Sequence, residues 1–158
     1  MNIRYFMIIV LLSFSLLPAS YAGAVDQAIS VYDSGNYLSA RRIFKTIAQQ
    51  GDPVAQRYLA LMFDKGQGGV QDYGKAVEWY EKAAKQNDSP AQYFLGVKYL
   101  NGQGVALNEK LAYAWFAIAL NNGYEKAANP LKVLNQTMAP AVRQEALQLA
   151  TKTLTQLP

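Results

Sequence analysis

The stretch AQRYLALMFDKGQGGVQDYGKAVEWYEKAA, residues 55–84, decides the fold, because much of it returns at residues 91–120 as AQYFLGVKYLNGQGVALNEKLAYAWFAIAL. Ala55-Gln56 becomes Ala91-Gln92, Leu59 becomes Leu95, Gly66 becomes Gly102, Trp79 becomes Trp115, Tyr80 becomes Phe116 and Ala83 becomes Ala119, each 36 positions on. The step extends outward in both directions, through Ala40, Ala76 and Ala112, through Phe44 and Tyr80, through Ala91 and Ala127, and through Leu95 and Leu131. A fixed period of about 20–50 residues marks a repeat array, in which no unit buries its apolar face without its neighbours. Such arrays are surfaces that bind far more often than sites that react.

Helical spacing fills each unit. Val25, Ile29 and Tyr32 hold one face, Gly35-Asn36 breaks it, and Tyr37, Ala40, Phe44, Ile47 and Ala48 resume it. Gly51-Asp52-Pro53 closes that helix and opens the next, with Asp as N-cap and Pro in the first turn. Helices are expected over 53–65 and 73–87, then over 90–101 and 109–121, with Gly66-Gln67-Gly68-Gly69 and Gly102-Gln103-Gly104 as their loops. In 73–87, Ala76, Trp79, Tyr80, Ala83 and Ala84 recur at i, i+3, i+4, i+7 and i+8, a face wide enough for two neighbours. A last pair is expected over 125–138 and 140–156, split by Met138-Ala139-Pro140. Its second helix sets Val142, Ala146, Leu149 and Ala150 against Arg143, Gln144, Glu145, Gln148 and Lys152, as a terminal cap requires. The expected units are 23–52, 53–88, 89–124 and 125–158, an all-α superhelical solenoid of about four helix pairs. The alanine line Ala40, Ala76, Ala112 fits helix crossings, where axes about 8–10 Å apart need small side chains beside aromatic ones.

These residues carry a resemblance. Ala55-Gln56, Leu59, Gly66-Gln67-Gly68-Gly69-Val70, Lys75-Ala76 and Trp79-Tyr80-Glu81-Lys82-Ala83-Ala84 resemble a Sel1-like repeat. So do Ala91-Gln92, Leu95-Gly96, Tyr99, Gly102-Gln103-Gly104-Val105, Ala112, Trp115-Phe116 and Ala119. Gly35-Asn36-Tyr37, Ala40 and Phe44 are similar to the shorter-turned tetratricopeptide repeat. Met138-Ala139-Pro140, Arg143, Glu145-Ala146 and Leu149-Ala150 resemble the helix that often ends Sel1-like arrays. Gly69 is an insertion compensated before Ala76, Ala60 replaces a helix glycine and Asn87 replaces a loop glycine, which leaves local loop geometry open. The resemblance implies an α/α superhelix that binds other proteins, often in bacterial envelopes, secretion or host contact.

The amino terminus reads as an export signal over residues 1–22. Arg4 is followed by an apolar run from Phe6 to Leu17, then Pro18 and the small-residue site Ser20-Tyr21-Ala22, with cleavage expected after Ala22. The run is short for a membrane span of about 20 residues; an uncleaved anchor is the competing reading. No cysteine follows it to take a lipid. Removing the signal takes away one charge, Arg4, and lowers the net charge from +4 to +3. The remaining charges are scattered, with Arg41-Arg42-Lys45 the one basic cluster, which argues against nucleic acid as a partner. Cysteine and histidine are both absent from the sequence. Stability must therefore come from packing without disulfides, and the commonest general base and metal ligand are missing.

Chemistry-bearing motifs are few. Gly66-x-Gly68 and Gly102-x-Gly104 each follow a helix and lack the Lys-Ser/Thr ending of a phosphate loop, so turns explain them. Trp79, Tyr80, Trp115 and Phe116 sit at core spacing, which outweighs an aromatic cage. Asp64, Asp72, Glu78, Glu81 and Asp88 show no spacing that isolates an acid–base pair, and no carboxylate cluster offers a metal loop. No catalytic residue, cofactor or metal is expected. In related helical repeats the first helix of each pair lines the concave face. On that basis Arg57, Leu61, Asp64, Lys65, Tyr93, Val97, Leu100 and Asn101 are the expected partner-binding residues, a mixture suited to a protein or peptide. The alternative is that Leu61, Val97 and Leu100 pack between helices. The expectation is a monomeric, non-enzymatic, exported interaction scaffold of the cell envelope, periplasmic or secreted, with an envelope hydrolase on the same fold as its rival.

Overall fold

The computed structural model describes residues 18–154, with side chains over 23–153. Every regular element in that span is helical. The order is α1 (Pro18–Asp33), α2 (Tyr37–Gln49), α3 (Pro53–Lys65), α4 (Tyr73–Ala84), α5 (Ser89–Asn101), α6 (Glu109–Asn121), a 3₁₀ turn (Glu125–Ala127), α7 (Ala128–Thr137) and α8 (Pro140–Leu154). The chain is an all-α superhelical solenoid. Most of the expected export signal lies outside the described residues. Where description begins, α1 starts at Pro18, upstream of the expected residue 24; a proline at the first helical turn loses no hydrogen bond. No helix among the described residues is long and apolar enough to cross a membrane.

The repeat is kept by a small set of local devices. Asp52 and Asp88, 36 positions apart, accept from the Ala55 and Ala91 amides at 2.7 and 2.8 Å, capping α3 and α5. Asp72 and Asn108 do the same for α4 and α6, at 2.9 and 3.0 Å. Gly66 and Gly102 end α3 and α5 in left-handed conformation. The loop glycines two residues on have a different task. A Cβ on Gly68 would strike the carbonyl of Tyr37, and one on Gly104 the carbonyl of Tyr73, so each loop lies directly on the first turn of the preceding unit's second helix. Asn87 adopts φ 64° in its loop, a conformation asparagine tolerates better than other side chains, so the missing glycine changes nothing there.

The recurring Ala-Gln pair explains itself in the interior. Gln56 donates from Nε2 to the Ala48 carbonyl at 3.2 Å, and Gln92 to the Ala84 carbonyl at 3.1 Å. Each thereby satisfies a carbonyl at the end of the preceding helix. Each amide oxygen in turn accepts from the far end of its own unit, Gln56 from Gln86 at 2.8 Å and Gln92 from Asn122 at 3.0 Å. These two linked amides tie three helices apiece. Around them the recurring alanines Ala40, Ala76 and Ala112 are fully buried beside Phe44, Tyr80 and Phe116. Gly96 is where α5 and α6 cross, since a Cβ there would sit 2.8 Å from the Phe116 ring. Ala60 holds the same position against Tyr80, whose buried hydroxyl meets no hydrogen-bond partner among the described residues.

The last pair departs from a regular hairpin. A 3₁₀ turn precedes α7 where a continuous helix over 125–138 is expected, and the last two residues expected in α8, 155 and 156, lie outside the described residues. More consequentially, α8 packs chiefly on α6 and meets α7 only near its own start, where Arg143 donates to the Asn135 carbonyl. Its Leu149 and Ala150 meet Ala114 and Ile118, a second apolar face of α6 buried to 2% and 1% exposure. At the matching positions α4 carries exposed Glu78 and Lys82. Ala146 and Val142 reach the other core cluster, beside Met138 and Leu134.

Candidate functional site

The row of first helices, α3 and α5, holds all eight residues expected to bind a partner. The structure places them in two different settings. On α3, Arg57 is anchored, its Nε 2.9 Å from a carboxylate oxygen of Asp88 and its guanidinium 5.0 Å from the Tyr58 ring centre. Asp64 forms an ion pair with Lys98 of α5, whose side chain is almost wholly buried. The same ammonium donates to Gln103 Oε1 at 3.0 Å and lies 4.9 Å from the Tyr73 ring. Leu61 is half-buried and Lys65 exposed. On α5, Tyr93 sits among Phe94, Phe116 and Tyr124 with ring centres 5.2–5.6 Å away. Val97 and Leu100 are half-buried against the same core cluster, while Asn101 is exposed.

Both ion pairs tie α3 to α5, one directly through Lys98 and one through Asp88, the residue that caps α5, so this row is tied as well as displayed. Asp88 does two jobs at once, capping α5 and neutralising Arg57. A bidentate-capable guanidinium beside a carboxylate that is 6% exposed is held far more firmly than a surface pair. The Tyr80 hydroxyl lies near Asp64 and Arg57; burial pushes its pKa up, and the nearby Asp64 charge adds to the effect. Burial likewise raises Tyr32, whose hydroxyl donates to Gln67 Oε1 at 2.9 Å and thereby links α1 to the α3–α4 loop. Arg41 completes that junction, donating to the Gln67 carbonyl at 3.3 Å and covering the Phe63 ring at 4.1 Å. A side chain on Gly69 would meet only the end of this guanidinium, which can swing aside, so the contact does not by itself require glycine at the inserted position.

Lys98, Asp88, Gln67 and Gln103 were not among the expected site residues. Lys98 carries a readable signal: it stands 36 positions after the buried Met62, an ionisable group where the period calls for an apolar one. Of the carboxylates weighed for acid–base chemistry, Asp64, Asp72 and Asp88 are engaged with cations or caps. Asp72 caps α4 and pairs with Lys75 at 2.9 Å, and the Lys75 backbone amide lowers its pKa. Glu81 raises that of Tyr99, second to burial. No group of three metal-ligating side chains occurs among the described residues.

Comparison with known proteins agrees with this architecture. Residues 53–88 and 89–124 each match the Sel1 repeat family. Among solved structures, the chain is similar to c5321, a protective antigen present in uropathogenic Escherichia coli strains displaying an SLR fold, at TM-score 0.82 and 24% identity over 87% of this chain. It is similar also to a Sel1 repeat protein from Oxalobacter formigenes, at TM-score 0.69 and 28% identity over 80% of this chain. Helicobacter pylori cysteine rich protein B shares the fold at TM-score 0.56 and 21% identity, over 72% of this chain and 96% of its own. The chain spans 30% of the length of the first and 55% of the second. No curated protein matches it. Residues 53–124 are thus two Sel1 repeats in register, set within an all-α solenoid similar to those of Sel1 repeat proteins.

Proposed function

We propose that the chain is a non-enzymatic interaction scaffold, exported to the bacterial cell envelope, which holds a protein or peptide partner on the concave face lined by α3 and α5. Sel1 repeats are generally protein–protein interaction scaffolds. The observation that carries the reading is the contrast within the α3–α5 row. A base of two ion pairs, Arg57 with the α5 cap Asp88 and Asp64 with Lys98, fixes the two helices relative to each other. Over it stand half-buried Leu61, Tyr93, Val97 and Leu100 with exposed Lys65 and Asn101, the apolar and polar mixture of a recognition surface. A pre-fixed surface of this kind loses little conformational entropy on binding.

Export accounts for the basic start, apolar run and small-residue site of the amino terminus. The partner is a protein, the protein acts as a monomer, and the units run 23–52, 53–88, 89–124 and 125–158. An envelope hydrolase gains no specific observation, since Asp64, Asp72 and Asp88 are all committed to cations or caps. The test is site-specific photo-crosslinking in the native cells, with the photoreactive residue at Leu61, Lys65, Val97 or Asn101 and controls at Lys45 and Glu78. One shared adduct from the first four positions and none from the controls is the expected result. Adducts from the controls alone would refute the concave-face reading. Fractionation of the same cells locates the processed chain.

A further inference from the structure

The repeat carries on through the turn from α6 into α7. The Asn87 and Asp88 amides donate to the Ala84 and Ala83 carbonyls, and 36 positions later the Gly123 and Tyr124 amides donate to those of Leu120 and Ala119. Ala91, Leu95 and Lys98 of α5 are buried, and so are Ala127, Leu131 and Leu134 of α7. α7 therefore stands in register with α5, as α5 does with α3. Tyr93, Val97, Tyr99 and Leu100 of α5 pack against a core cluster that includes residues of α6, α7 and α8. One unit on, three of these four positions turn polar and exposed, as Asn129, Asn135 and Gln136. That is the polar surface a terminal unit requires. The fourth, Val133, stays aliphatic and is 57% exposed. Stacking does not account for it, because no further first helix follows α7 among the described residues.

The place Val133 holds on α7 is held by Val97 on α5 and by Leu61 on α3. One turn further along, the last residues of the same helices are Thr137, Asn101 and Lys65, all exposed. An aliphatic row thus crosses three successive units beside a polar row. We infer that Val133 is the third anchor of the recognition face, and that the occupant is an extended segment of a partner protein, aliphatic along one side. The inference rests on the concave-face reading and carries that face onto α7. A row one side chain wide suits a segment whose side chains alternate between two sides. The polar row favours an extended segment over a helix. A helix pairs its main-chain groups internally and brings none to Asn101 or Thr137, whereas an extended chain brings N–H and C=O groups that need partners. The Asn101 amide donates and accepts, and Lys65 donates. The Thr137 hydroxyl donates to the Val133 carbonyl and keeps its lone pairs for an incoming N–H.

The experiment selects random linear peptides on the purified full chain. Enriched peptides should carry aliphatic residues at alternate positions and lose at least about tenfold in affinity with Val133→Asp. Leu147→Asp, at another exposed aliphatic outside the row, should change nothing. Unchanged melting of both variants confirms that the fold is kept. N-methylation of the central peptide bonds should weaken binding, and so should α-aminoisobutyrate, which favours helix. Peptides indifferent to Val133→Asp, or no enrichment at all, would overturn the inference. Peptides tightened by α-aminoisobutyrate would assign the row to a helix, and self-association that Val133→Asp disperses would assign it to a second copy; either result overturns it. Photo-crosslinking in the native cells separates this inference from the concave-face reading. The adduct formed from Leu61 and Val97 should reappear from Val133 and be absent from Lys132, the neighbouring residue of α7. An adduct from Leu61 and Val97 with none from Val133 would remove the α7 anchor and leave the concave face standing. No adduct from any of the three would remove both.

Discussion

Helices α4 and α6 hold the same place in successive units and differ on one face. Inward they agree: Ala76, Tyr80 and Ala83 on one, Ala112, Phe116 and Ala119 on the other, all fully buried. Outward, Glu78 and Lys82 of α4 face water, whereas Ala114 and Ile118 of α6 are buried under α8. The inward face makes a repeat; the outward face decides whether another unit stacks or the array closes. A polar outer face lets the next unit stack in register. An apolar one captures the last helix out of register and ends the array, as a terminal unit of a repeat protein must.

The sharpest way to break that contrast is to give α6 the residue of α4. Ile118→Lys should cost about 4 kcal/mol, combining the loss of a buried aliphatic side chain with the burial or expulsion of an ammonium. Urea unfolding measures the cost, and amide hydrogen exchange should show α8 losing protection before any other helix. Uniform loss across α3–α6 would mean that α8 is not separately anchored.

Next in size are the loop glycines. Gly104→Ala places a Cβ against the Tyr73 carbonyl while keeping φ 77°, and about 3 kcal/mol is expected from strain and collision together. Gly123→Ala has φ 84° but open space around the new methyl, so about 1 kcal/mol is expected. Equal costs in thermal melts would remove the loop-on-helix contact from the description of the repeat.

The buried ion pair comes third. Asp64→Ala strands Lys98, whose side chain is 5% exposed, and about 2 kcal/mol is expected after allowing for the partial exposure of Asp64. Replacing both members by their counterparts one unit away, Asp64→Leu with Lys98→Met, should be neutral or stabilising, since leucine and methionine already occupy Leu100 and Met62. A double variant weaker than Asp64→Ala would show that the pair contributes more than its burial costs. The smallest effect has the opposite sign. Tyr80→Phe copies Phe116 and removes a buried hydroxyl without a partner among the described residues, so stability should rise by about 1 kcal/mol. A fall would mean that the hydroxyl has found a partner in solution.

The fold was legible in the sequence because like positions announce one another. Ala55 and Ala91, Gly66 and Gly102, and Trp79 and Trp115 are seen by stepping along the chain with a fixed stride. Contacts between unlike positions leave no such trace. Asp64 and Lys98 are 34 positions apart, and Arg57 and Asp88 are 31 apart, so no periodic comparison pairs them. The residue type does not tell a solvated lysine from a buried one; only the neighbours do. The same limit hid Gly68 and Gly104, whose role depends on where the preceding unit's helix begins. The terminal pair was half legible. Its apolar and polar faces were readable along α8, but which helix the apolar face meets depends on Ala114 and Ile118, two ordinary core residues until they are set beside Glu78 and Lys82.

The most direct test tracks the helix that leaves the register. The sequence has no cysteine, so spin labels at Val133→Cys on α7 and Thr151→Cys on α8 report on these two positions alone, and pulsed dipolar spectroscopy gives their separation. The comparison is with a variant that gives α6 the outer face of α4, Ala114→Glu with Ile118→Lys. In that variant α8 should come away from α6, and the label distance should change by several Å and broaden. The same distance in both proteins would contradict the account.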